Sequence, residues 1–585
     1  MSNFVEKNFY TIFWKMNHKY NGIILINIVL CFFVLFSFPL TMEAKSIMIN
    51  PSLPLQEQFS IDGATYVIRD DMDLGGKTLL IPQGSTLSFR RGSLFNGTVS
   101  GSFTLKRVKR GSLCIGFSNC SISGIVPVYN NGDVTGLLSS CVEGSKLMED
   151  LTIDKSINLR AGIKGNGHSI ICSEKTPVAI YINDSRNPIT IDGLVLRKRI
   201  PTGTINKNYA IYSVNSSYVT IKNSTIDGRL EFVNKTMSDA IENISQGIYI
   251  RRSNLLANFS FCPQGWEYGQ DHISFFSIKN IIIEDCTIES VNVNRVLKTS
   301  AYFPKQDYDY PINCTDGIFF KNNRIIADSE YGKQFWDMFC GTVNANILNN
   351  VIKLVGFTRF IENKAYQYKY KSDELLNSII TIKDNNVEME NGNLFQFHAN
   401  SDGDNFIVTD NYFCLKGSNV NLTTKDRRNC GFQLQGYSSC IINHNTFDWQ
   451  DDAIGLPLAA LHFECKNTVF SNNTIINGSQ FKVASTSHLS RRIVPTVCNT
   501  IEFSNNIYKG DAFTFQNNPF VVLSDCQIEN IIIKNNNGFP VLFLLAERGA
   551  HIKELYTDSE LEKEVFYRVS SGASLQNSHS IKDLE

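Results

Sequence analysis

Four side chains that could do chemistry lie close together in the sequence, namely Asp451, Asp452, His462 and Glu464. Hydrolysis of a glycosidic bond needs two carboxylates about 5 to 9.5 Å apart. A lyase instead needs a base, such as His462 or Lys482, and a cation or amides that neutralise a uronate. The loop with the two aspartates leads directly into the strand with the other two residues, so we expect the four to converge. Both reactions stay open, as does the alternative of a hydrated strand face beside a polar loop.

A recurring sequence pattern indicates the structural elements that position these residues. Runs such as TVFSNNTI and IEFSNNIY alternate apolar and polar residues and stop at a polar pair, and ten of them follow one another at intervals of about thirty residues, the first interval being double. The period of two favours several short strands in each unit, so the repeat predicts a β solenoid. Stacked coils place equivalent residues about 4.8 Å apart, so amides at a corner can hydrogen-bond from coil to coil. We predict an asparagine ladder at the following corner positions: Asn223, Asp285, Asn322, Asn349, Asp384, Asp410, His444, Asn472, Asn505 and Asn535.

With these phrases the chain resembles the right-handed parallel β-helix proteins of the pectate-lyase-like superfold, in particular the exported β-helix proteins of gut Bacteroidetes. The resemblance covers about residues 60 to 540 and includes YVIRDDMDLGGKTLLIPQG, which is similar to the short first coils of such proteins. It implies an all-β fold in which one sheet and its loops form a groove that holds a polysaccharide. It does not specify a reaction, because the superfold hosts lyases, hydrolases, epimerases, esterases, phage tailspikes and adhesins.

The strand alternation indicates which residues face that groove. If each corner joins the second sheet to the third, the next strand upstream of the second-sheet strand belongs to the first sheet. From Gln334 onward the predicted first-sheet strands are QFWDMFC, GFTRFIE, LFQFHA, GFQLQG, ALHFEC, QFKVAS and AFTFQN. The aromatic and aliphatic residues then point inward and the polar residues between them outward. Together with a loop tryptophan that could stack on a sugar ring, the predicted substrate-binding residues are Asp337, Gln396, His398, Gln433, Gln435, Trp449 and Lys482.

Composition and the N-terminus limit the partners and the location. The chain has 55 Lys and Arg against 56 Asp and Glu, a net charge of -1, and no basic tract of the kind that nucleic acid requires. Residues 22–40, GIILINIVLCFFVLFSFPL, follow several lysines and predict export, with cleavage after Ala44 or retention as a membrane anchor. We expect the remainder to be secreted, periplasmic or on the cell surface, with membrane contact only through residues 22–40 if they are uncleaved.

Metal and cysteine signals are weak. Two stretches, SDGDN (401–405) and DDMDLGG (70–76), carry the oxygen ligands that calcium prefers, so Ca²⁺ is a candidate. Each stretch, however, lies where a turn is needed anyway. No other cofactor is predicted. The fifteen cysteines are thinly spread and often lie in apolar strands, as Cys286, Cys440, Cys465 and Cys498 do, so most are predicted to fill the core.

The predicted organisation is an all-β, right-handed parallel β-helix with small terminal caps. Residues 1–44 form the signal peptide or anchor, 45–125 the N-terminal cap and first short coils, 126–540 the β-helix and 541–585 the C-terminal cap, with a short helix in TDSELEKEVF. The predicted function is to bind a polysaccharide in a groove along one parallel sheet, and whether the protein also cleaves it, as a glycoside hydrolase or polysaccharide lyase, stays open. The alternative is a non-catalytic glycan-binding, adhesin or structural surface protein, and the sequence gives no oligomeric state.

Overall fold

A computed structural model describes residues 45–198, 208–236, 244–259, 270–302, 314–338, 341–364, 378–390, 392–399, 403–417, 431–484, 497–510, 518–540, 542–558 and 566–584. Nearly all of it is parallel β structure, with 63% strand and 4% helix. From residue 125 onward most strands pair in parallel with the strand one coil later, so the chain winds through three long stacked sheets. This is the arrangement of a parallel β-helix, in agreement with the fold class predicted from the repeat.

Three strands, one for each sheet, make up a typical coil. The first sheet contains Ile157–Asn158, Val178–Asn183, Tyr209–Val214, Arg229–Val233, Asp271–Phe276, Arg295–Ser300, Asn393–His398, Phe481–Ala484, Val521–Ser524, Leu544–Ala546 and Tyr567–Val569. The second sheet contains Ile125–Val128, Gly144–Leu147, Ile163–Lys164, Ile189–Asp192, Val219–Lys222, Ser245–Arg251, Ile278–Glu284, Thr315–Lys321, Thr342–Leu348, Ile379–Lys383, Asn405–Thr409, Val497–Ser504, Gln527–Lys534, His551–Thr557 and Ser574–Ser580. The third sheet contains Leu151–Ile153, Ser169–Cys172, Val195–Lys198, Thr225–Asp227, Asn254–Asn258, Thr287–Val291, Asn386–Glu390, Tyr412–Lys416, Thr446–Gln450, Thr474–Ile476 and Ile507–Lys509.

Four long strands each take part in two sheets. Arg324–Met338 and Val351–Lys364 run from the third sheet into the first, and Phe432–Asn443 and Ala459–Ser471 run from the first into the second. Helices are short. They comprise Leu55–Gln58, Val134–Ser140 and the 3₁₀ turns Asp451–Ala453 and Ile581–Asp583.

A separate six-stranded parallel sheet, hereafter the N-terminal sheet, precedes the long sheets. Its strands are Ser46–Met48, Thr65–Ile68, Met72–Asp73, Thr78–Phe89, Leu94–Lys106 and Leu113–Ser123. At the other end the coils do not stop at residue 540, because four further strands between Leu544 and Ser580 pair with those before them. The separate C-terminal cap predicted from residue 541 is therefore replaced by continued coils, and most of the predicted helix lies outside the described residues.

The corners between the second and third sheets depend on left-handed backbone. All ten residues predicted to form the ladder have φ between 48° and 60°, a conformation that Asn and Asp tolerate better than most residues. The continuous amide column, however, is formed by the residue that follows each corner. Asn472 is exposed whereas Asn473 is fully buried, and the same offset recurs along the column. Its members are Asn323, Asn350, Asn385, Asn411, Asn445, Asn473, Asn506 and Asn536.

Each amide of this column links three coils. The Asn385 Nδ2 donates to the Asn411 Oδ1 at 2.9 Å and to the Ile347 carbonyl at 2.8 Å. The Asn385 Oδ1 accepts from the backbone N–H of Asn350 at 2.9 Å and from its Nδ2 at 2.8 Å. Part of the predicted ladder is present at the left-handed residues, since the Asn322 Nδ2 donates to the Asp285 Oδ1 at 3.1 Å and the Asn349 Nδ2 donates to the Asn322 Oδ1 at 3.0 Å. The longer, buried column lies one residue later, because the left-handed residue projects its side chain to solvent and the next residue points into the coil.

Stacked aromatic side chains fill the interior. Phe395 and Phe432 stack across one coil step with ring centroids 5.3 Å apart, and Phe447 stacks on Phe413 at 5.5 Å. The inward residues predicted for the described strands are buried, as follows: Phe395, Phe397, Phe432, Leu434, Phe481 and Val483. The side chains of Leu461 and Phe463 lie outside the described residues.

One first-sheet strand was predicted in the wrong place. AFTFQN (512–517) lies outside the described residues, and the strand that pairs with Phe481–Ala484 is Val521–Ser524. The observed strand overlaps a continuous apolar run, FVVL (520–523), which lacks the alternation from which the first-sheet strands were predicted.

The described part of the chain shows the state of four cysteines and the length and hydropathy of its helices. Cys286, Cys440, Cys465 and Cys498 are unbridged and at most 2% exposed, as predicted for core residues. No helix in the described ranges has the length and hydropathy needed to cross a membrane. Residues 1–44 lie outside those ranges, so export stays a prediction.

Replacing Asn385 by Ala should lower the free energy of unfolding by about 2–4 kcal/mol, because a buried N–H and carbonyl oxygens of neighbouring coils lose their partner. Asn386→Ala is the matched control, since this neighbour is exposed at the start of the following strand, and we expect less than about 0.5 kcal/mol for it. Urea unfolding followed by fluorescence measures both. Equal midpoints for the two variants would contradict a stabilising role for the column.

Candidate functional site

The polar stripe predicted on the first sheet is present as a column of residues paired from strand to strand. Gln396 pairs with Gln433, and Asp337 and Glu362 precede them in the same column. The column continues upstream through Lys298, Ser274, Glu231, Tyr212 and Tyr181. The alternation of the sequence agrees with the observed pairing at Asp337, Glu362, Gln396 and Gln433.

A neighbouring column was predicted from His398, Gln435 and Glu464. The backbones of these residues do pair with one another in that order. Their side chains lie outside the described residues, so their roles stay predictions. Gln396, Gln433 and Lys482 have side chains that are partly exposed on the outer face of the first sheet.

The predicted catalytic group is only partly described. Asp451 and Asp452 are exposed in a 3₁₀ turn that follows the third-sheet strand Thr446–Gln450 and precedes the strand Ala459–Ser471. This places them at an edge of the first sheet, as expected. The His462 and Glu464 side chains lie outside the described residues, so the convergence of the four stays a prediction.

Two predicted substrate contacts are in fact buried. Trp449 is fully buried, its Nε1 donates to the Leu456 carbonyl at 3.0 Å, and its ring packs edge-on against Phe447. A ring in this position packs in the core instead of stacking on a sugar. Asp337 is 3% exposed, and its Oδ2 lies 2.7 Å from the Arg295 Nε, so it serves an ion pair instead of a substrate.

Asp337 belongs to a buried group of charges in the middle of the column. Arg295 lies between two carboxylates, with its Nη1 3.0 Å from the Asp271 Oδ1 and its Nε next to Asp337. One coil further, Glu362 is fully buried, accepts a hydrogen bond from the Gln334 side chain and lies 3.5 Å from the Arg359 Nε. Each of these buried carboxylates thus lies next to a guanidinium group, which offsets part of the cost of burying the charges.

The Asp271 carboxylate stays ionised although it is buried. Desolvation favours its neutral form, but the positive charges of Arg295, Lys298 and Arg229 outweigh desolvation and hold the pKa of Asp271 below its ordinary value. The Lys298 Nζ lies 3.9 Å from the other Asp271 oxygen. Because its oxygens face these cations and it is only 4% exposed, Asp271 sets the local electrostatics without reaching a substrate.

A cleft of about 640 Å³ opens on the outer face of the first sheet, at the N-terminal end of this charged group. Glu231, Lys235 and Lys298 provide its charged groups. The remaining lining residues are Pro177, Val178, Tyr209, Tyr212, Val233, Phe276, Ser300, Ala301 and Tyr302. Among the described residues that line it, Glu231 is the one carboxylic acid.

Tyrosines and lysines give the cleft its shape. The rings of Tyr209 and Tyr212 stack with centroids 4.9 Å apart, and Tyr181 stacks on Tyr212 at 5.8 Å. The Lys235 Nζ lies 5.4 Å from the centre of the Tyr212 ring. The hydrogen bond with Tyr212 raises the pKa of Lys235, so this ammonium group stays charged.

Glu231 has the environment of a proton donor. Burial raises its pKa, and the nearby negative charge of Asp271 acts in the same direction. The charge of Arg229, a hydrogen bond with Tyr209 and the charge of Lys298 oppose the increase without cancelling it. Glu231 and Asp271 therefore form a pair of carboxyl groups whose pKa values are moved apart, which is a recurrent feature of acid–base sites.

The sequence prediction missed this cleft because the first-sheet strands were read only from Gln334 onward. The upstream strands RLEFV, DHISFF and RVLKTS carry Glu231, Asp271, Arg295 and Lys298 inside otherwise apolar phrases. A charged residue inside an otherwise apolar strand was the sequence feature that could have identified the cleft.

The calcium stretches give no metal site among the described residues, where no group of three or more His, Cys, Asp or Glu is arranged to hold an ion. In the first stretch the Asp73 Oδ1 accepts from the Gly75 N–H and from the Asn96 Nδ2, each at 2.7 Å, as in an ordinary turn. In the second stretch Asp402 lies outside the described residues.

Replacing Arg295 by Met should destabilise the protein by about 3–5 kcal/mol at pH 7, because two buried carboxylates lose their cation. The folded-state pKa of Asp271 is lowered in the wild type, so its contribution is present above the unfolded-state value of about 4 and is lost as the pH falls through the folded-state value. The gap between wild type and variant should therefore persist down to about pH 4 and narrow as the pH falls further. Urea unfolding at several pH values, with the exposed Arg197→Met as control, measures it, and a constant gap would contradict the ion-pair assignment.

Comparisons with known proteins add little to this description. No protein-family model matches the chain, and no curated protein matches it. Among solved structures it is similar to a mutant tailspike protein of E. coli bacteriophage HK620, at 10% sequence identity, over 91% of this chain and 80% of that chain. The TM-score is 0.21, and at this distance the similarity carries no argument about what this chain does.

Proposed function

We propose that the protein binds a polysaccharide on the outer face of the first sheet, with the cleft around Glu231 as the main binding site. The observation that carries this proposal is the lining of the cleft, in which tyrosine rings stand beside one carboxyl group and two ammonium groups. Sugars are bound in this way, since aromatic rings contact their C–H faces while charged and polar groups bind their hydroxyls. A volume of about 640 Å³ lies within the range of pockets that hold small ligands.

The exposed parts of the polar column lie at its two ends. Asp337 and Glu362 are buried between the cleft and the partly exposed Gln396 and Gln433. The cleft is therefore the centre of the proposed site, and the two glutamines form a separate contact area about 24 Å away or more, five to six coil steps from Glu231. Export through residues 22–40 would place both outside the cytoplasm.

A second candidate function, cleavage of the bound glycan by hydrolysis, is favoured by the raised pKa of Glu231. A carboxyl group with a raised pKa keeps its proton to a higher pH and can donate it to the glycosidic oxygen as the bond breaks. The pKa values of Lys235, Tyr209 and Tyr212 are all raised, so none of these side chains is poised to act as the base of a lyase. The cleft therefore offers the acid of a hydrolysis, while the second carboxylate that hydrolysis needs is not among its described lining residues.

The predicted aspartates cannot complete that reaction. Asp451 and Asp452 precede the first-sheet strand that begins at Ala459, seven coil steps from the strand of Glu231, or about 34 Å. One glycosidic bond cannot use carboxyl groups so far apart. The two parts of the first sheet are thus alternative sites, and the described geometry favours the cleft.

Replacing Tyr302 by Ala should weaken the binding of a retained polysaccharide by about tenfold, because the cleft loses an aromatic contact. Affinity electrophoresis against a panel of plant, algal and host polysaccharides first identifies the ligand, and calorimetry then gives the affinities. Tyr331→Ala is the matched control, since Tyr331 is exposed and does not line the cleft. Equal weakening in both variants, or in neither, would contradict binding in the cleft.

Replacing Glu231 by Gln should abolish the release of new reducing ends while leaving polysaccharide binding within about threefold, because the amide keeps the shape but cannot donate the proton. In the wild type the rate should fall as the pH rises through the raised pKa of Glu231, since the protonated form is the active one. Glu289→Gln, an exposed residue of the third sheet, serves as control. Undiminished cleavage by the Glu231→Gln variant would rule out Glu231 as the proton donor. Binding without cleavage by the wild-type protein would contradict hydrolysis and support polysaccharide binding as the sole function of the cleft.

A further inference from the structure

A second pocket, of about 310 Å³, lies at one corner of the N-terminal sheet and is strongly basic. It is formed by three successive turns, and its floor includes the buried ring of Phe89. One carboxylate, that of Asp71, lines it. Its cationic residues are Arg90, Arg91, Arg107, Lys109 and Arg110.

Two of the turns have the same sequence pattern. RRGSL (90–94) and KRGSL (109–113) both read basic, basic, Gly, Ser, Leu, and their leucines, Leu94 and Leu113, pair in adjacent strands. The two basic pairs therefore occupy equivalent positions one strand apart, at about 4.8 Å spacing. The turns pack closely, because a Cβ at Gly92 would collide with the Asp70 backbone. Like charges in directly opposed positions destabilise a sheet.

The protein neutralises little of this charge. Among the described residues, one ion pair involves a residue of the pocket. It joins the Arg110 Nε to the Glu149 Oε2 at 3.4 Å. Arg90, Arg91, Arg107 and Lys109 are exposed and have no carboxylate within 4.0 Å in the described ranges. The Asp71 Oδ1 already accepts a hydrogen bond from the Ser93 hydroxyl at 2.8 Å.

Arg107 adds a second observation. Its φ is 60°, in the left-handed region where the other corners of this protein mostly place Asn, Asp or Gly. An arginine there costs stability relative to those residues. The position therefore retains a guanidinium group at the pocket despite the conformational cost.

We propose that this pocket binds a phosphate group. A phosphate monoester carries about 1.5 to 2 negative charges and three strong acceptor oxygens, which matches several guanidinium groups around a small volume. A single carboxylate would leave most of the cluster unneutralised. Nucleic acid fits less well, since it needs a basic track along a surface, whereas these cations surround one compact pocket in a chain of net charge -1.

The phosphate could come from a membrane phospholipid headgroup or from a soluble phosphorylated compound. A phospholipid diester has a single charge and two free oxygens, fewer than a monoester, but both would bind the same guanidinium groups, so the experiment uses two probes. The first is inorganic pyrophosphate, titrated by calorimetry into the full-length chain in a non-ionic detergent at constant ionic strength. The second is flotation of the same protein with vesicles of phosphatidylglycerol or of phosphatidylcholine.

The test variant is Arg90→Gln with Arg91→Gln, because both side chains are exposed and carry none of the ion pairs described for the pocket. The matched control, Arg160→Gln with Arg197→Gln, removes the same charge from exposed positions outside the pocket. We expect pyrophosphate binding to weaken by about tenfold or more in the test variant and by less than about twofold in the control. Both variants should unfold at the wild-type urea concentration, which excludes loss of folding as the cause.

The outcomes separate cleanly. Weaker pyrophosphate binding together with weaker flotation on phosphatidylglycerol, and unchanged flotation on phosphatidylcholine, supports a phospholipid headgroup. Weaker pyrophosphate binding with unchanged flotation on both vesicles supports a soluble phosphorylated ligand. No binding of pyrophosphate to the wild type, or an equal loss in the test and control variants, overturns the proposal.

Discussion

The parallel pairing of each strand with its equivalent one coil later is the constraint on which the rest of the structure depends. It places residues of the same coil position about 4.8 Å apart in a line. Side chains at equivalent positions of successive coils therefore lie directly against one another. Amides and aromatic rings suit this repetition, because Asn385 can donate to Asn411 while accepting from Asn350, and Phe395 can stack on Phe432. The columns of asparagine and phenylalanine follow from that compatibility.

Charged residues do not tolerate such repetition, and the first sheet shows how the chain accommodates them. Asp271 and Asp337 lie on either side of Arg295 along the stack, and Glu362 lies beside Arg359. Each of these buried ions therefore lies next to an opposite charge, either one coil away or on the same strand. At the N-terminal end of this group the ion pairs give way to the cleft, where Glu231 has tyrosines instead of a close cationic partner and its pKa rises.

The sequence predicted the fold well and the site in part, for physical reasons. Period-two alternation and the left-handed preference of Asn and Asp are local, so the columns through Gln396 and Gln433 and the corners at Asn472 and its equivalents could be read directly. Burial of Trp449 and Asp337 depends on neighbouring coils and loops and has no local signal. The buried column lies one residue after the predicted ladder because both members of each polar pair are often asparagine, and only the backbone conformation shows which one faces inward.

The basic corner of the N-terminal sheet departs from the rule that the other columns obey. Arg90 and Arg91 occupy the same turn positions as Lys109 and Arg110, so like charges stack in successive turns, whereas each buried ion of the first sheet lies next to an opposite charge. The surrounding protein could relieve this repulsion with acidic residues, as it does around Arg295, yet it supplies Asp71 and Glu149 alone among the described neighbours. Exposure to water and salt screens the repulsion without removing it. A fold that otherwise balances its charges coil by coil is thus left with an excess of positive charge around a small pocket, and a bound anion with several charges would balance it.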